Sequence, residues 1–214
     1  AFFMDMGTGK TKTTIDNLGI LYLKGEIDSA LIVAPKSVYS MWETEIQNHL
    51  SSQIKTCIQI WNSTKKSKHD LMKQLIPDHL NILLMNVEAF STKNGTEGAM
   101  MFFNRHPRSA FVIDESTSIK NQKAKRTKNI LKLAPSAVIR RILTGSPVTK
   151  SPLDLFTQCK FLSPLLLGYD SYYAFRSRYA EMQSIYTGVN TQIMIPKFYK
   201  NLDELEKKIK TFST

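Results

Sequence analysis

The sequence predicts an α/β fold: a mostly parallel sheet flanked by helices, followed by a helical C-terminal extension. Three observations predict it. Short apolar runs of strand length alternate with segments of helical spacing, the pattern of βαβ units. A glycine loop joins the first apolar run to the first helical segment. The alternation stops after Pro152, and most of the remaining chain reads as helix.

Residues 1–4 read as a strand that runs straight into the glycine loop, and residues 10–24 as the helix it opens. No lead-in precedes that strand, so the reading frame is expected to extend upstream. Residues 30–34 form a short buried-strand run. Residues 38–50 have helical spacing, with Trp42, Ile46 and Leu50 on one face. Residues 56–61 alternate as a strand, 68–76 read as a helix, and 81–85 as a strand. A strand over 110–113 ends at Asp114, a helix comes next over 121–133, and a strand over 138–143. Beyond Pro152, segments 153–162, 170–182 and 202–212 read as helices, and 186–197 as a loop or hairpin.

The composition bounds the function. The chain has 214 residues, 42% hydrophobic and 22% charged, which is ordinary for a soluble globular protein and excludes a disordered or fibrous chain. Lys and Arg outnumber Asp and Glu by 29 to 18, a net charge of +11. That balance fits a polyanionic partner, nucleic acid first, although a solvated lysine face gives the same number. Cys57 and Cys159 form no CxxC pattern, and the four histidines show no metal spacing, so neither a disulfide framework nor a structural zinc is expected. The thiols are expected reduced, in a reducing compartment. No apolar run approaches the roughly 20 residues of a spanning helix, and no basic n-region opens the chain, so no membrane partner is expected.

Three segments carry chemistry. Met6-Gly7-Thr8-Gly9-Lys10-Thr11 lies between a strand and a helix, the setting of a phosphate-binding loop. Gly7, Thr8 and Gly9 would let backbone amides approach phosphates, at a helix N-terminus whose dipole favours anions. Lys10 would reach the terminal phosphates, and the Thr11 hydroxyl would ligate Mg²⁺. Met4 stands where the strict pattern has its first glycine. The competing reading is a glycine turn beside a surface lysine.

Phe111-Val112-Ile113-Asp114-Glu115 is an apolar strand ending in adjacent carboxylates. Asp114 would bind Mg²⁺ and Glu115 would orient and deprotonate an attacking water. Adjacent acids also start plain helices. The third segment, Leu143-Thr144-Gly145-Ser146-Pro147, comes directly after a strand. Its hydroxyls could contact both the acidic pair and a neighbouring domain, or simply form a tight turn.

In order and detail these segments resemble helicase superfamily two, and within it the Swi/Snf family of DNA translocases. Residues 1–11 are similar to that family's motif I, and residues 31–38 with Trp42 and Glu45 to motif Ia. Residues 82–90 resemble motif Ib. Residues 113–121, with Ile119-Lys120-Asn121, resemble motif II and its extension. Residues 143–147 and 152–156 resemble motif III and the helix after it, and residues 172–179 resemble compact phage and bacterial members. Thr117 stands where many relatives carry His.

The resemblance implies a RecA-like P-loop fold and use of ATP with Mg²⁺. It implies a lobe over residues 1–165, and a helical extension over 166–214 leading toward a second RecA-like lobe that this sequence lacks. Catalysis would fall to Lys10, Asp114 and Glu115, with nucleotide-to-lobe coupling through Thr144 and Ser146. Lys36, Ser37 and Asn86 would meet the backbone of double-stranded DNA, giving affinity without sequence preference. The resemblance places the protein in the cytoplasm of a bacterial or phage-infected cell, or in a eukaryotic nucleus. Trp42 reads as a core anchor for its helix. The cations Lys120, Lys123, Lys125, Arg126, Lys128 and Lys132 read as lying around one helix, either solvated or on DNA, and Lys65, Lys66 and Lys68 as a second such cluster. The alternatives are a strand-separating helicase or restriction-type motor of the same superfamily, a basic DNA-binding module with a vestigial nucleotide site, and a P-loop kinase.

Overall fold

The computed structural model describes residues 1–5, 7–63, 76–186 and 192–213. Strands β1 (Phe2–Phe3), β2 (Ser29–Val33), β3 (Thr56–Ile60), β4 (Leu80–Met85), β5 (Ser109–Asp114) and β6 (Ile139–Thr144) form one sheet in the order β1-β6-β5-β2-β4-β3. Every pairing is parallel. Parallel neighbours need crossovers. Helices α1 (Lys10–Leu23), α2 (Tyr39–His49), α3 (Lys93–Arg105) and α4 (Lys125–Leu133) lie between successive strands, and α5 (Leu155–Leu162) follows β6.

Both sheet faces are covered, so the central strands are apolar on both sides. Leu31, Val33, Leu83, Met85, Phe111 and Ile113 pack with Phe102, Phe103, Ile130 and Phe161, beneath α3, α4 and α5. The alternate residues Ala30, Ile32, Ile82, Leu84 and Val112 pack with Ile15, Leu18, Trp42 and Ile46, beneath α1 and α2.

Helix α3 has no counterpart among the elements expected from sequence, because Gly95 and Gly98 interrupt its apolar pattern. Gly98 is a close-approach residue: a Cβ there would sit 2.3 Å from the Trp61 ring. The helix expected over 121–133 starts later, at Lys125. The Asn121 side chain accepts the Lys123 amide at 2.9 Å and diverts the chain into a turn first. Lys120 and Lys123 therefore precede the helix rather than lying on it. The helix expected over 68–76, and Lys65, Lys66 and Lys68, lie outside the described residues, Ile76 excepted.

The C-terminal extension is not wholly helical. Helix α6 (Tyr172–Tyr179) ends where Ala180 turns extended. The segment 180–182, expected as the end of that helix, belongs to strand β7 (Ala180–Tyr186), paired antiparallel with β8 (Gln192–Tyr199). Long-range pairing of Ala180 with Tyr199 overrides the local helical pattern. Helix α7 (Leu202–Lys210) closes the chain. Leu155, Phe156, Cys159, Leu167, Phe175, Tyr179 and Leu205 form a third apolar cluster, with Phe3 against it. Among the described residues no helix is long and apolar enough to cross a membrane.

Candidate nucleotide-binding site

The site forms at the C-terminal ends of β1, β6 and β5, which are consecutive in the sheet. In open parallel sheets this edge is where ligands bind, because loops leave it and helix N-termini return to it. Register brings the pieces level: Phe3 pairs with Thr144, and Leu143 pairs with Asp114.

From β1 the chain enters the glycine loop. Gly7 and Gly9 sit at φ 77° and 88°, left-handed backbone that favours glycine. Gly9 is also the N-cap of α1, so the loop passes directly into the helix. Gly7, Thr8 and Gly9 are exposed, and Thr11 is half-buried in the first turn. The Lys10 ammonium folds back into the loop, donating to the carbonyls of Met4 at 2.9 Å and Asp5 at 2.8 Å. The Thr8 hydroxyl donates to the same Asp5 carbonyl at 2.7 Å.

Strand β5 delivers the acidic pair. Asp114 Oδ1 accepts the Glu115 amide at 3.0 Å, and its Oδ2 accepts the indole N–H of Trp42, also at 3.0 Å. Burial pushes the Asp114 pKa up, while the indole, the Glu115 amide and the Lys10 charge pull it back. Glu115 has φ 51°, so the chain leaves the strand through a left-handed residue that is not glycine. That turn sets the two carboxylates on different headings, Asp114 toward Trp42 and Glu115 toward β6.

Strand β6 ends at Thr144, which is buried. Its hydroxyl donates to Glu115 Oε2 at 3.4 Å and accepts the Ser146 amide at 3.2 Å. Ser146 itself is exposed. The sheet thus assembles Lys10, Asp114, Glu115 and Thr144, with Ser146 joined through its backbone.

Two residues of this assembly are not predictable from sequence in these roles. Gln158 on α5 accepts from the Ser116 hydroxyl at 2.6 Å and donates to the carbonyls of Pro147 and Asp154 at 2.8 and 2.9 Å. It ties the acidic loop to the Thr144 loop from inside the core. Trp42, expected only as an apolar anchor, is fully buried, but its one polar atom faces Asp114. Neither partner is near in sequence, so no local pattern announces either.

A second group lies further along the same edge. Lys36 and Ser37 are exposed in a 3-10 turn after β2. Asn86 caps the 3-10 turn after β4. Val33 pairs with Met85, so the two turns are neighbours. Lys36 and Asn86 line a cleft of about 490 Å³ with Tyr39, Trp61 and Glu88. Glu88 is paired with Arg126 at 2.8 Å, which offsets its charge. A smaller cleft of about 240 Å³ runs from Lys36 and Asn86 to Asp114 and Glu115.

Comparison with known proteins gives a family for this fold. The family model for the SNF2-related domain matches residues 2–211. An uncharacterized ATP-dependent helicase of Mycoplasma pneumoniae is 30% identical over 165 residues, covering 77% of this chain and 15% of that protein. The Xenopus tropicalis SWI/SNF-related matrix-associated actin-dependent regulator of chromatin, subfamily A, containing DEAD/H box 1, is 27% identical over 163 residues, covering 75% of this chain and 15% of that protein. The structure of the Sulfolobus solfataricus SWI2/SNF2 ATPase core in complex with dsDNA superposes with a TM-score of 0.70 at 24% identity, over 100% of this chain and 39% of that one. The chain therefore spans a minor part of each of these proteins. The match over nearly its whole length, and the RecA-like sheet beneath it, show that the chain belongs to the SNF2-related domain family of Swi/Snf ATPases.

Proposed function

We propose that this chain is the ATP-binding lobe of a Swi/Snf-type, ATP-dependent translocase on double-stranded DNA, working with a second RecA-like lobe. The observation that carries the reading is Thr144. It ends β6, the strand between β1 and β5, and its hydroxyl donates to Glu115, so one hydroxyl reads the acidic pair beside the glycine loop.

The residues fit Mg-ATP. The exposed glycine loop opens a helix, and Lys10 is near enough to Asp114 to pull its pKa down. Among the described residues no group of three or more His, Cys, Asp or Glu could hold a metal alone. That suits Mg²⁺, which takes one or two protein oxygens and fills its shell with phosphates and water. Gly7, Thr8, Gly9 and Lys10 would hold the phosphates, with Thr11 and Asp114 on the metal. The bound metal would neutralise charge on the transferred phosphoryl group. Glu115 would orient and deprotonate water. Thr144 and Ser146 would carry the state of that carboxylate to the neighbouring lobe.

Lys36, Ser37 and Asn86 would grip the DNA backbone. The complex of the Sulfolobus core with dsDNA supports DNA as the partner, as does the charge of +11, and the three residues rest on the resemblance of their motifs. The lobe would occupy residues 1–165 and the extension 166–214. Turnover would need the second lobe, whose arginine supplies roughly 10³- to 10⁵-fold in related phosphoryl transfers. This chain alone is therefore expected to bind ATP weakly and hydrolyse it poorly.

The test is ATP turnover by the full native reading frame, with no DNA, single strands or duplex. Stimulation by duplex above single strands is the expected result. No turnover under any condition would point to a vestigial site.

A further inference from the structure

We propose that Trp42 is a positioning residue that couples the DNA-binding turn to the metal-binding carboxylate. The inference rests on the function proposed above and names how the nucleotide site would be regulated.

The geometry is a short mechanical path. Lys36 and Ser37 lie in the 3-10 turn at residues 36–38, and α2 begins at Tyr39 with no residue between. Tyr39 and Trp42, three apart, share one face of that helix. At the near end, Tyr39 lines the Lys36–Asn86 cleft. Its hydroxyl is buried with no hydrogen-bond partner among the described residues. At the far end, the fully buried indole of Trp42 donates to Asp114 Oδ2 at 3.0 Å.

The packing around Trp42 makes the path stiff. Trp42 and Ile46 belong to the apolar cluster that includes Ile15 and Leu18 of α1, the helix opened by the glycine loop. A buried aromatic in a close-packed core moves with its helix rather than by rotamer hopping. A small displacement of α2 on contact with DNA would thus pass to one oxygen of Asp114. The acceptor belongs to the carboxylate that would hold the metal, so the position of the indole would bias how that side chain is presented to Mg²⁺.

A second feature favours coupling over simple packing. An apolar side chain of the same size would fill this space without a donor. The indole N–H instead gives its one hydrogen bond to the acidic residue that the strand delivers to the sheet edge.

The experiment uses the full native protein and measures binding linkage, which is reciprocal between two ligands. The affinity of a non-hydrolysable ATP analogue with Mg²⁺ is measured with and without a short duplex, and duplex affinity with and without the analogue. In the native protein each ligand is expected to tighten the other. Trp42→Phe removes the donor and keeps a ring. It is expected to leave the duplex affinity in the absence of nucleotide within about twofold, and to bring the coupling factor close to one. Replacing Trp42 with benzothienylalanine keeps the bicyclic shape without the N–H, and serves if Trp42→Phe misfolds. An unchanged coupling factor in the well-folded isostere would overturn the inference, as would a native protein that binds both ligands independently. A native protein that binds neither ligand would instead overturn the proposed function.

Discussion

At the residue scale, Lys10 and Glu115 lie at the same sheet edge but are expected to fail differently. Lys10 holds the loop by two carbonyl contacts and would hold phosphates in use. Lys10→Ala is expected to weaken nucleotide binding at least tenfold in a titration with labelled ATP analogue. Glu115 contacts only Thr144 among the described side chains. Glu115→Gln is expected to leave binding nearly unchanged and cut turnover of the intact protein by about 10²- to 10⁴-fold, the usual worth of a positioned base. Equal loss of binding in both variants would contradict the division of roles. Lys10, Asp114, Glu115, Thr144 and Ser146 are legible as a set because residue types and spacing carry the chemistry. Trp42 and Gln158 are not, because their polar atoms meet partners 72 and 42 residues away.

At the element scale, α3 shows why a helix can be hidden. Its glycines weaken the local pattern, yet Gly98 is needed where the Trp61 ring comes down on the helix. Gly98→Ala would gain helix propensity but place a Cβ at 2.3 Å from that ring. A net loss of about 1–3 kcal/mol is expected in denaturant melts, the usual cost of overpacking. A stabilised variant would show that the ring yields easily. In the extension, α6 and α7 are joined by Glu204, which accepts from Arg178 and from the Tyr179 hydroxyl, the latter at 2.8 Å. Those donors hold its pKa down to about 2, against an ordinary 4.5. A lowered carboxylate pKa means the folded state prefers the ionised form. Its stabilisation is present above the ordinary value and is lost as pH falls from about 4.5 to about 2. Glu204→Gln is expected to lower Tm at neutral pH, with the gap to the native protein closing across that interval. A gap independent of pH would assign the effect to packing.

At the scale of the whole molecule, the net charge of +11 leads to a salt-dependent grip on polyanions. Duplex affinity of the full protein is expected to fall linearly with salt on logarithmic axes. Lys36→Ala is expected to reduce that slope by roughly one, as for removal of a single phosphate contact. An unaltered slope would remove Lys36 from the DNA surface. The two turns carrying Lys36 and Asn86 leave the same sheet edge as Asp114 and Glu115, so under the proposed function one face would serve both ligands. That proximity makes a single short helix enough to link them.

The α/β class and the candidate phosphate-handling residues were legible in the sequence. Both depend on local composition and on periodicities that each segment displays by itself. Residues 30–34 read as a buried strand because the run is short and apolar throughout; the strand ends at Val33, and Ala34 is buried beyond it. Which strand lies beside which follows only from how the sheet packs. The placement of β6 between β1 and β5 brings Thr144 to Glu115, and no local signal encodes that order. Packing likewise puts residues 180–182 in a strand, since they pair with residues 196–199 and that pairing outweighs helical spacing. And it gave Trp42 its second role, because a hydrogen bond to Asp114 exists only once α2 is packed over β5.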